Sequence, residues 1–498
     1  MTWGTTVITI NGMSVQKQNN QRELAVRTVT VRRPRIVSRE ILIPFILLTT
    51  LFAWWGLANN MTDTLLAAFK RIMSFEDGKT AWIQVVCYAL GYGGFAIPGA
   101  IFMTRHTYKS GVLLGLGFFI TGTLLFFPAR FAYQSPELCY FFYLCAILIT
   151  FGGLAILETA CNPYVCAIGD PETAVRRLNL AQSFNPFGSL VGITISQVFI
   201  LSQLSPLTAT ERAALSDEAL SAVQKPELTA ISSTYAGIGV ILLATWLAIY
   251  MCKMPIQKEN RRDLRLRDSF RRLATNRYYL AGVVALFFCV GASIGCWSFT
   301  VRYCMENLHL DEIARTAPER LRDIEPVSRT FYFLCDSVGF DAFIPKTAEQ
   351  AGATFYVLSQ ILFIISRFVC TGLMGFFRPR VMLGTLAFCA LLCCFFVTLR
   401  PGLIGVYALM LISGCLAPMF PTIFSFATAS LGDDSKLAGA GLVSMLCGGA
   451  ILTQIQGMIS DRTGRIEAAY FVPMFAFFMV FCYAAFVNNR SSRARSER

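Results

Sequence analysis

The stretch Gly152-Gly153-Leu154-Ala155-Ile156-Leu157-Glu158-Thr159-Ala160-Cys161-Asn162-Pro163-Tyr164 ends an apolar run that begins near Leu138. An acid that deep in hydrocarbon costs roughly 2.5–3.5 kcal/mol on insertion scales, so a chain that keeps one has a use for it. Two other ionisable residues, Asp63 and Arg367, also lie within long apolar runs. Three charges in an otherwise oily chain point to an ion or substrate pathway.

Composition gives the surroundings of that acid. Mean hydropathy is +0.55. Hydrophobic residues make up 55% and charged residues only 15% of the 498 positions, whereas a soluble domain carries about 25% charged residues. The 42 Phe and 37 Gly fit helices packed in lipid, where Gly lets backbones approach closely. Polar residues cluster between apolar stretches of about 20 residues, the length that spans a bilayer as helix. Twelve such stretches fall at 41–68, 80–103, 110–129, 138–168, 177–203, 231–252, 278–302, 350–377, 381–399, 402–430, 437–459 and 468–487. The expected fold is an all-α membrane protein with twelve transmembrane helices in two six-helix bundles. Forty polar, Arg-rich residues precede the first stretch, which reads as a membrane helix and not as a signal peptide.

The expected organisation is a basic tail (1–40), a six-helix bundle (41–253), a charged linker (254–277), a second bundle (278–487) and a basic tail (488–498). Lys253–Arg277 holds nine basic and three acidic residues. Two membrane domains about such a linker is the layout of transporters that rock around a central site. Internal repetition is faint. Pro163 and Pro421 fall late in the fourth and tenth stretches, which end in Gly169-Asp170 and Gly432-Asp433. With both tails placed inside, 27 of the 43 basic residues are cytoplasmic, as the positive-inside rule requires. The net charge of +13 is then mostly an orientation signal, and no basic surface interleaved with aromatics points to nucleic acid. The expected setting is an integral multi-pass protein of the plasma membrane, a monomer whose partners are the lipid bilayer and a small substrate. The segments 204–230 and 303–349 read as long external excursions, the second a solvated loop or a lid.

Most of the 17 Cys lie in apolar helices, where they act as small hydrophobes. With two His and no CxxC pair, no metal site and no cofactor are expected. Cys304 and Cys335 flank the 303–349 excursion and are candidates for a disulfide. Asp77-Gly78-Lys79-Thr80 looks like the end of a phosphate loop, but Met73 stands where that motif needs Gly. Transport would therefore be driven by a gradient.

Helix arithmetic groups the polar residues. Glu158 lies ten residues before Ile168, about 15 Å along a helix, and Asn185 lies eight past Arg177, about 12 Å. Both reach similar depth. Asn162 is at i+4 from Glu158 and Gln182 at i−3 from Asn185, so each pair shares a face. A carboxylate with three amides suits a hydroxyl-rich ligand, and the alternative is a polar helix–helix contact that serves packing. In the first helix Asn59 and Asp63 share a face, and Asp63 lies toward the outer half, where it either exchanges a proton or is an acid capped by Asn59 and reached by external water. Arg367 is either functional or a structural charge bonded to a carboxylate or backbone carbonyls. Trp54, Trp55, Tyr88, Tyr92 and Trp297 are candidates for stacking on sugar C–H faces.

The runs Trp55-Gly-Leu-Ala-Asn59-Asn60-Met-Thr-Asp63, Leu157-Glu158-Thr-Ala-Cys-Asn162-Pro163-Tyr and Arg177-Leu-Asn179-Leu-Ala-Gln182-Ser-Phe-Asn185 resemble the fucose permease family of the major facilitator superfamily. Cys296-Trp297-Ser-Phe-Thr-Val-Arg302-Tyr and Phe420-Pro421-Thr-Ile-Phe-Ser425 extend the likeness to the second half. The resemblance implies the major facilitator fold, a central sugar cavity and proton-coupled symport of a monosaccharide such as L-fucose. It also implies that the chain is not an enzyme. It puts proton coupling on Asp63 and Glu158. Substrate contacts are expected from Glu158, Asn162, Gln182, Asn185, Asn59 and Trp297, with Arg302 and Arg367 as structural or gating charges. Val290-Gly291-Ala292 is followed by Ser293, where the glucose/galactose branch usually carries an acid and the fucose branch an amide. Alternatives are a carrier of another small polar metabolite on the same scaffold, or a sugar sensor that does not transport. The charge pattern predicts that tags on both tails are reached only from the cytoplasm and a tag in 304–349 only from the other side; tails on opposite sides would break the twelve-helix map.

Overall fold

In hydrocarbon every backbone N–H and C=O must find a partner within the protein, so a spanning chain folds as helices. The computed structural model describes residues 35–73, 85–129, 135–200, 214–255, 266–339, 347–429 and 431–496, with short pieces at 131, 203–205, 211–212 and 344–345. Among these residues the regular structure is helical throughout. Spans 1 to 6 are Leu42–Met73, Val85–Tyr92 with Gly93–Arg105, Tyr108–Ala129, Pro136–Ala167, Ala174–Gln182 with Asn185–Ile195, and Asp217–Met251. Spans 7 to 12 are Arg277–Asn307, Ala348–Leu373, Pro379–Leu399, Leu403–Leu416 with Met419–Thr428, Ser435–Ser444 with Cys447–Thr463, and Ile466–Ala469 with Phe471–Ser496. Eleven of these are long and apolar enough to cross a membrane. The remaining one, span 2, is described only from Val85 onward.

The faint repeat in the sequence becomes plain in the helix breaks. Span 5 is interrupted at Ser183-Phe184 and span 11 at Met445-Leu446. These are the fifth helices of their halves. Each is preceded by a short 3-10 turn, Pro171–Thr173 or Gly432–Asp434. The local causes differ. Pro186 lacks an N–H and restricts the residue before it, whereas Gly448-Gly449 lowers helix propensity. Interrupted helices at matching places in two halves mark the binding region of many transporters.

Close backbone approach fixes the N-terminal half. A Cβ at Gly188 would stand 1.8 Å from the Ala53 carbonyl oxygen, and one at Gly56 would stand 2.1 Å from the Asn185 carbonyl oxygen. Spans 1 and 5 thus touch backbone to backbone, which brings Asn185 to span 1. Its Nδ2 donates to the Phe52 carbonyl at 3.3 Å.

Both long excursions carry more helix than hydropathy predicts. Span 6 begins at Asp217, capped by Ser216, and its polar first turns are held by a buried pair. Arg212 donates to both Glu227 oxygens at 2.9 and 2.6 Å, and the Ser205 N–H adds a bond to Glu227 of 2.8 Å. Segment 303–349 contains helices Leu310–Thr316 and Pro326–Val338. Glu325 caps the second through the N–H groups of Val327 and Ser328 and accepts a short hydrogen bond from the Tyr407 hydroxyl of span 10. The segment is thereby fastened to the C-terminal half. Cys304 and Cys335 are free thiols, so the structure does not contain the candidate disulfide.

The linker contributes one described helix, Leu266–Thr275. Arg272 pairs with Asp434 in the turn before span 11, at 2.8 and 2.7 Å. Burial would raise the Asp434 carboxyl, but the hydrogen bonds from Arg272 and Ser269 outweigh it and hold it below the usual carboxylate range.

The span 1–span 5 contact can be checked against a glycine in open space. Gly188→Ala should lower stability by about 1–3 kcal/mol, the usual cost of overpacking. Gly237→Ala, where an added Cβ meets nothing within 4 Å, should be neutral or slightly stabilising. Thermal unfolding of the two variants in detergent provides the comparison, and equal midpoints would contradict the packing described.

Candidate functional site

A cavity of about 530 Å³ lies between the two halves. Apolar residues line it on both sides, but the acid and most of the amides come from one half. The N-terminal half supplies Asn59, Asn60, Glu158, Gln182, Asn185 and Ser189 together with Trp55. The C-terminal half supplies mainly Val290, Ile294, Trp297, Phe363, Leu416 and Phe420. Its polar lining is limited to Ser293, Ser298, Tyr356, Gln360 and Arg367.

Glu158 is 8% exposed, and one of its carboxylate oxygens, Oε2, has no hydrogen-bond partner among the described residues. Trp55 and Asn162 flank its carboxyl. Trp55 Nε1 makes a short hydrogen bond to the Tyr92 hydroxyl, which fixes the indole. Asn162 is fully buried behind the wall, where its Oδ1 accepts from Gln182 Nε2 at 2.8 Å. Asn59 donates to the Trp55 carbonyl at 2.9 Å, and Ser189 Oγ bonds the Gly56 carbonyl at 3.4 Å. A buried acceptor left without a donor costs about 1–3 kcal/mol, more if charged. A ligand hydroxyl or a proton is the natural partner for Oε2.

On the facing wall, Trp297 Nε1 donates to Ser413 Oγ at 3.0 Å, and the ring packs edge-on against Phe363 at 5.3 Å. The indole is pinned and presents an apolar surface to the cavity. Ser293 is likewise committed, through its Oγ to the Cys289 carbonyl at 2.8 Å.

The floor is Arg367. Its Nε donates to the Ala417 carbonyl at 2.8 Å and its Nη1 to the Gln182 carbonyl at 2.9 Å. Those carbonyls end the first pieces of the broken spans 10 and 5, one in each half. A cation at two helix C-termini satisfies orphaned carbonyls and complements both dipoles. Phe363 lies under the guanidinium at 4.6 Å.

Below Arg367, toward the linker, the halves stay joined. Asn179 Nδ2 bonds Thr422 Oγ1 at 3.2 Å. Lys436 Nζ, at the start of span 11, donates to the Met103 and His106 carbonyls at the end of span 2, at 2.6 and 3.0 Å. The Tyr108 ring lies 5.1 Å from the same ammonium. These contacts close the linker side of the cavity.

The sequence-predicted residues divide accordingly. Asn59, Glu158, Gln182, Asn185, Trp297 and Arg367 meet in the cavity, whereas Asn162 stands one layer behind. Arg302 is not in the cavity. It is half exposed and pairs with Glu306 at 2.7 Å on the side away from the linker. Asp63 falls within span 1, but its side chain lies outside the described residues, as does that of Tyr88. Sequence reasoning missed Tyr356, Gln360 and Phe363. Their spacing to Arg367 repeats at three and four residues, which puts them on one face of span 8 and was a usable signal.

Two six-helix halves around a central cavity, shut on one side by contacts between them, define a membrane carrier of the alternating-access type. The chain belongs to the major facilitator superfamily, whose model matches residues 43–452, and within it to the fucose permease family. It is 34% identical over 460 residues to the L-fucose-proton symporter of Haemophilus influenzae, covering 90% of this chain and 97% of that protein. The L-fucose-proton symporter of Escherichia coli is 31% identical over 453 residues, covering 90% of this chain and 94% of that protein. Among solved structures, the Major Facilitator Superfamily transporter FucP in the outward conformation superposes with a TM-score of 0.76 at 31% identity, covering 90% of this chain and 99% of that one.

Arg367→Ala leaves two buried carbonyls without their donor, a loss of about 2 kcal/mol or roughly thirtyfold in the local opening equilibrium. Amide hydrogen exchange should accelerate in 174–185 and 417–428 and stay unchanged in 326–338. Unaltered protection in both breaks would remove Arg367 as the brace.

Proposed function

We propose that this chain is a proton-coupled monosaccharide symporter, with L-fucose or a related hexose as substrate, working by alternating access. The observation that carries the reading is the unpartnered Glu158 oxygen in a wall of amides, facing a pinned aromatic surface across a cavity of about 530 Å³. A pyranose has hydroxyls for the first wall and C–H faces for the second. The two symporters that share about a third of its residues along nearly their whole length support the same substrate class.

In this reading Glu158, Asn185, Gln182 and Asn59 bind the sugar hydroxyls, Trp297 stacks on the ring, and Asn162 orients Gln182. Asp63, the isolated acid toward the outer end of span 1, carries the coupled proton, and Glu158 exchanges a proton as sugar enters. One proton moving through about 100 mV supplies roughly 2.3 kcal/mol, enough for about fiftyfold accumulation of a neutral sugar. The protein acts as a monomer in the plasma membrane with both tails cytoplasmic, so the linker side is the inside and the described state faces outward.

Calorimetry with L-fucose on purified protein tests the site. Asn185→Ala should weaken binding about tenfold or more, and Glu158→Gln should weaken it less than Glu158→Ala, because the amide keeps an acceptor. Asp63→Asn should bind and exchange sugar yet fail to accumulate it under a proton gradient. Full affinity in both alanine variants, with the proteins folded, would move the site elsewhere. Normal gradient-driven accumulation by Asp63→Asn would remove that residue from coupling.

A further inference from the structure

The linker helix Leu266–Thr275 ends one residue before span 7. Asn276 turns the chain between them. Its backbone is extended, at φ −81 and ψ 98, and its side chain accepts from the N–H groups of Tyr278 and Tyr279 at 3.0 and 3.2 Å. The linker helix therefore does not continue the axis of span 7 but packs against the linker-side ends of spans 7 and 11. Ser269 and Leu273 form its buried face. One flank carries Arg272, spent on Asp434.

The opposite flank is occupied differently. Arg267, Phe270 and Ala274 stand three and four residues apart and all are exposed. Phe270 is 43% exposed, an aromatic ring the protein does not cover. Arg271 adjoins it on the outer face. Arg267 and Arg271 make no ion pair with the described residues. The same side of the molecule continues the pattern. Phe376 and Phe377, 70% and 61% exposed, lead into Arg378 between spans 8 and 9. At the end of span 6, Tyr250 is 59% exposed and lies under the Lys109 ammonium at 5.9 Å.

We propose that the linker helix is a docking surface for anionic lipids of the linker-side leaflet, with Phe270 entering the headgroup–acyl boundary and Arg267 and Arg271 pairing with lipid phosphates. A short helix with apolar and basic residues on its exposed arc, set where a hydrophobic span begins, lies in the interface plane. Cations near an anionic surface gain about 1 kcal/mol each, and the (CH₂)₃ stems of arginine cover apolar surface while the heads reach phosphate. A bilayer and not a free phosphate is the fitting occupant, because an exposed ring adds nothing to the hold on a small soluble anion.

Native mass spectrometry of the full-length protein in detergent, titrated with phosphatidylglycerol or phosphatidylcholine, tests the assignment. The parent protein should prefer phosphatidylglycerol. Arg267→Gln with Arg271→Gln should reduce that preference roughly ten- to thirtyfold, and the paired Lys substitutions should restore most of it. Phe270→Ser should weaken both lipids alike. Arg400→Gln, at the start of the opposite loop, should change nothing, and soluble glycerol phosphate should not displace bound lipid. An unchanged preference in the double Gln variant would overturn the proposal. So would displacement by glycerol phosphate at the same concentration as lipid, which would indicate a site for free phosphate instead.

Discussion

The structure depends on one constraint, that broken helices in hydrocarbon must have their freed carbonyls met. Spans 5 and 10 each stop midway, and each stop leaves a carbonyl at the base of the cavity. Arg367 takes both, from Gln182 in one half and Ala417 in the other. A single guanidinium thus makes two helix breaks tolerable, joins the halves and forms the cavity floor. The contacts among the described residues here are cation to carbonyl, with no carboxylate partner to titrate. Opening the linker side means finding other partners for two carbonyls and one buried cation, a cost that ligand binding must offset by favouring the opened state.

The two halves share an architecture but not a chemistry. Both have a proline late in the fourth helix, a 3-10 turn and a broken fifth helix. Beside the breaks, the first half presents Gln182 and Asn185 to the cavity and the second presents Leu446. Facing each other, they make a two-sided slot. One side carries the acid and most of the amides, and the other carries Trp297, whose indole N–H is bonded to Ser413, beside Tyr356, Gln360 and Arg367. Selectivity of such a slot comes from its polar groups, because a ligand lacking a hydroxyl there leaves a buried group unpaired, whereas apolar contacts discriminate weakly.

Much of this was legible in the sequence for identifiable reasons. Glu158, Gln182 and Asn185 stand out as polar residues in apolar runs, and rise per residue put them at one depth. The separation of Asn162 from the cavity was not legible, since i+4 spacing fixes a shared face but not which member points to the ligand. Arg367 was visible as a charge in a helix, and backbone carbonyls were among its expected partners, but no periodicity tells which carbonyls. The helices at 217–230 and 326–338 are invisible to hydropathy, which gives loops there. Their own signals are polar: Ser216 before Asp217-Glu218, and Glu325-Pro326 opening a helix. Arg302, expected as a structural or gating charge, pairs with Glu306 at i+4 on a helix end outside the cavity.

In the proposed mechanism this cavity couples a sugar to a proton. Uptake of radiolabelled L-fucose by proteoliposomes measures it most directly. With the outside acidic, L-fucose should accumulate above its external concentration, and the accumulation should collapse when a protonophore is added. With no gradient imposed, it should equilibrate without accumulating. Uptake of L-fucose to the same level with and without the pH gradient would contradict the coupling, and no specific uptake or exchange of any hexose would contradict the transport reading itself.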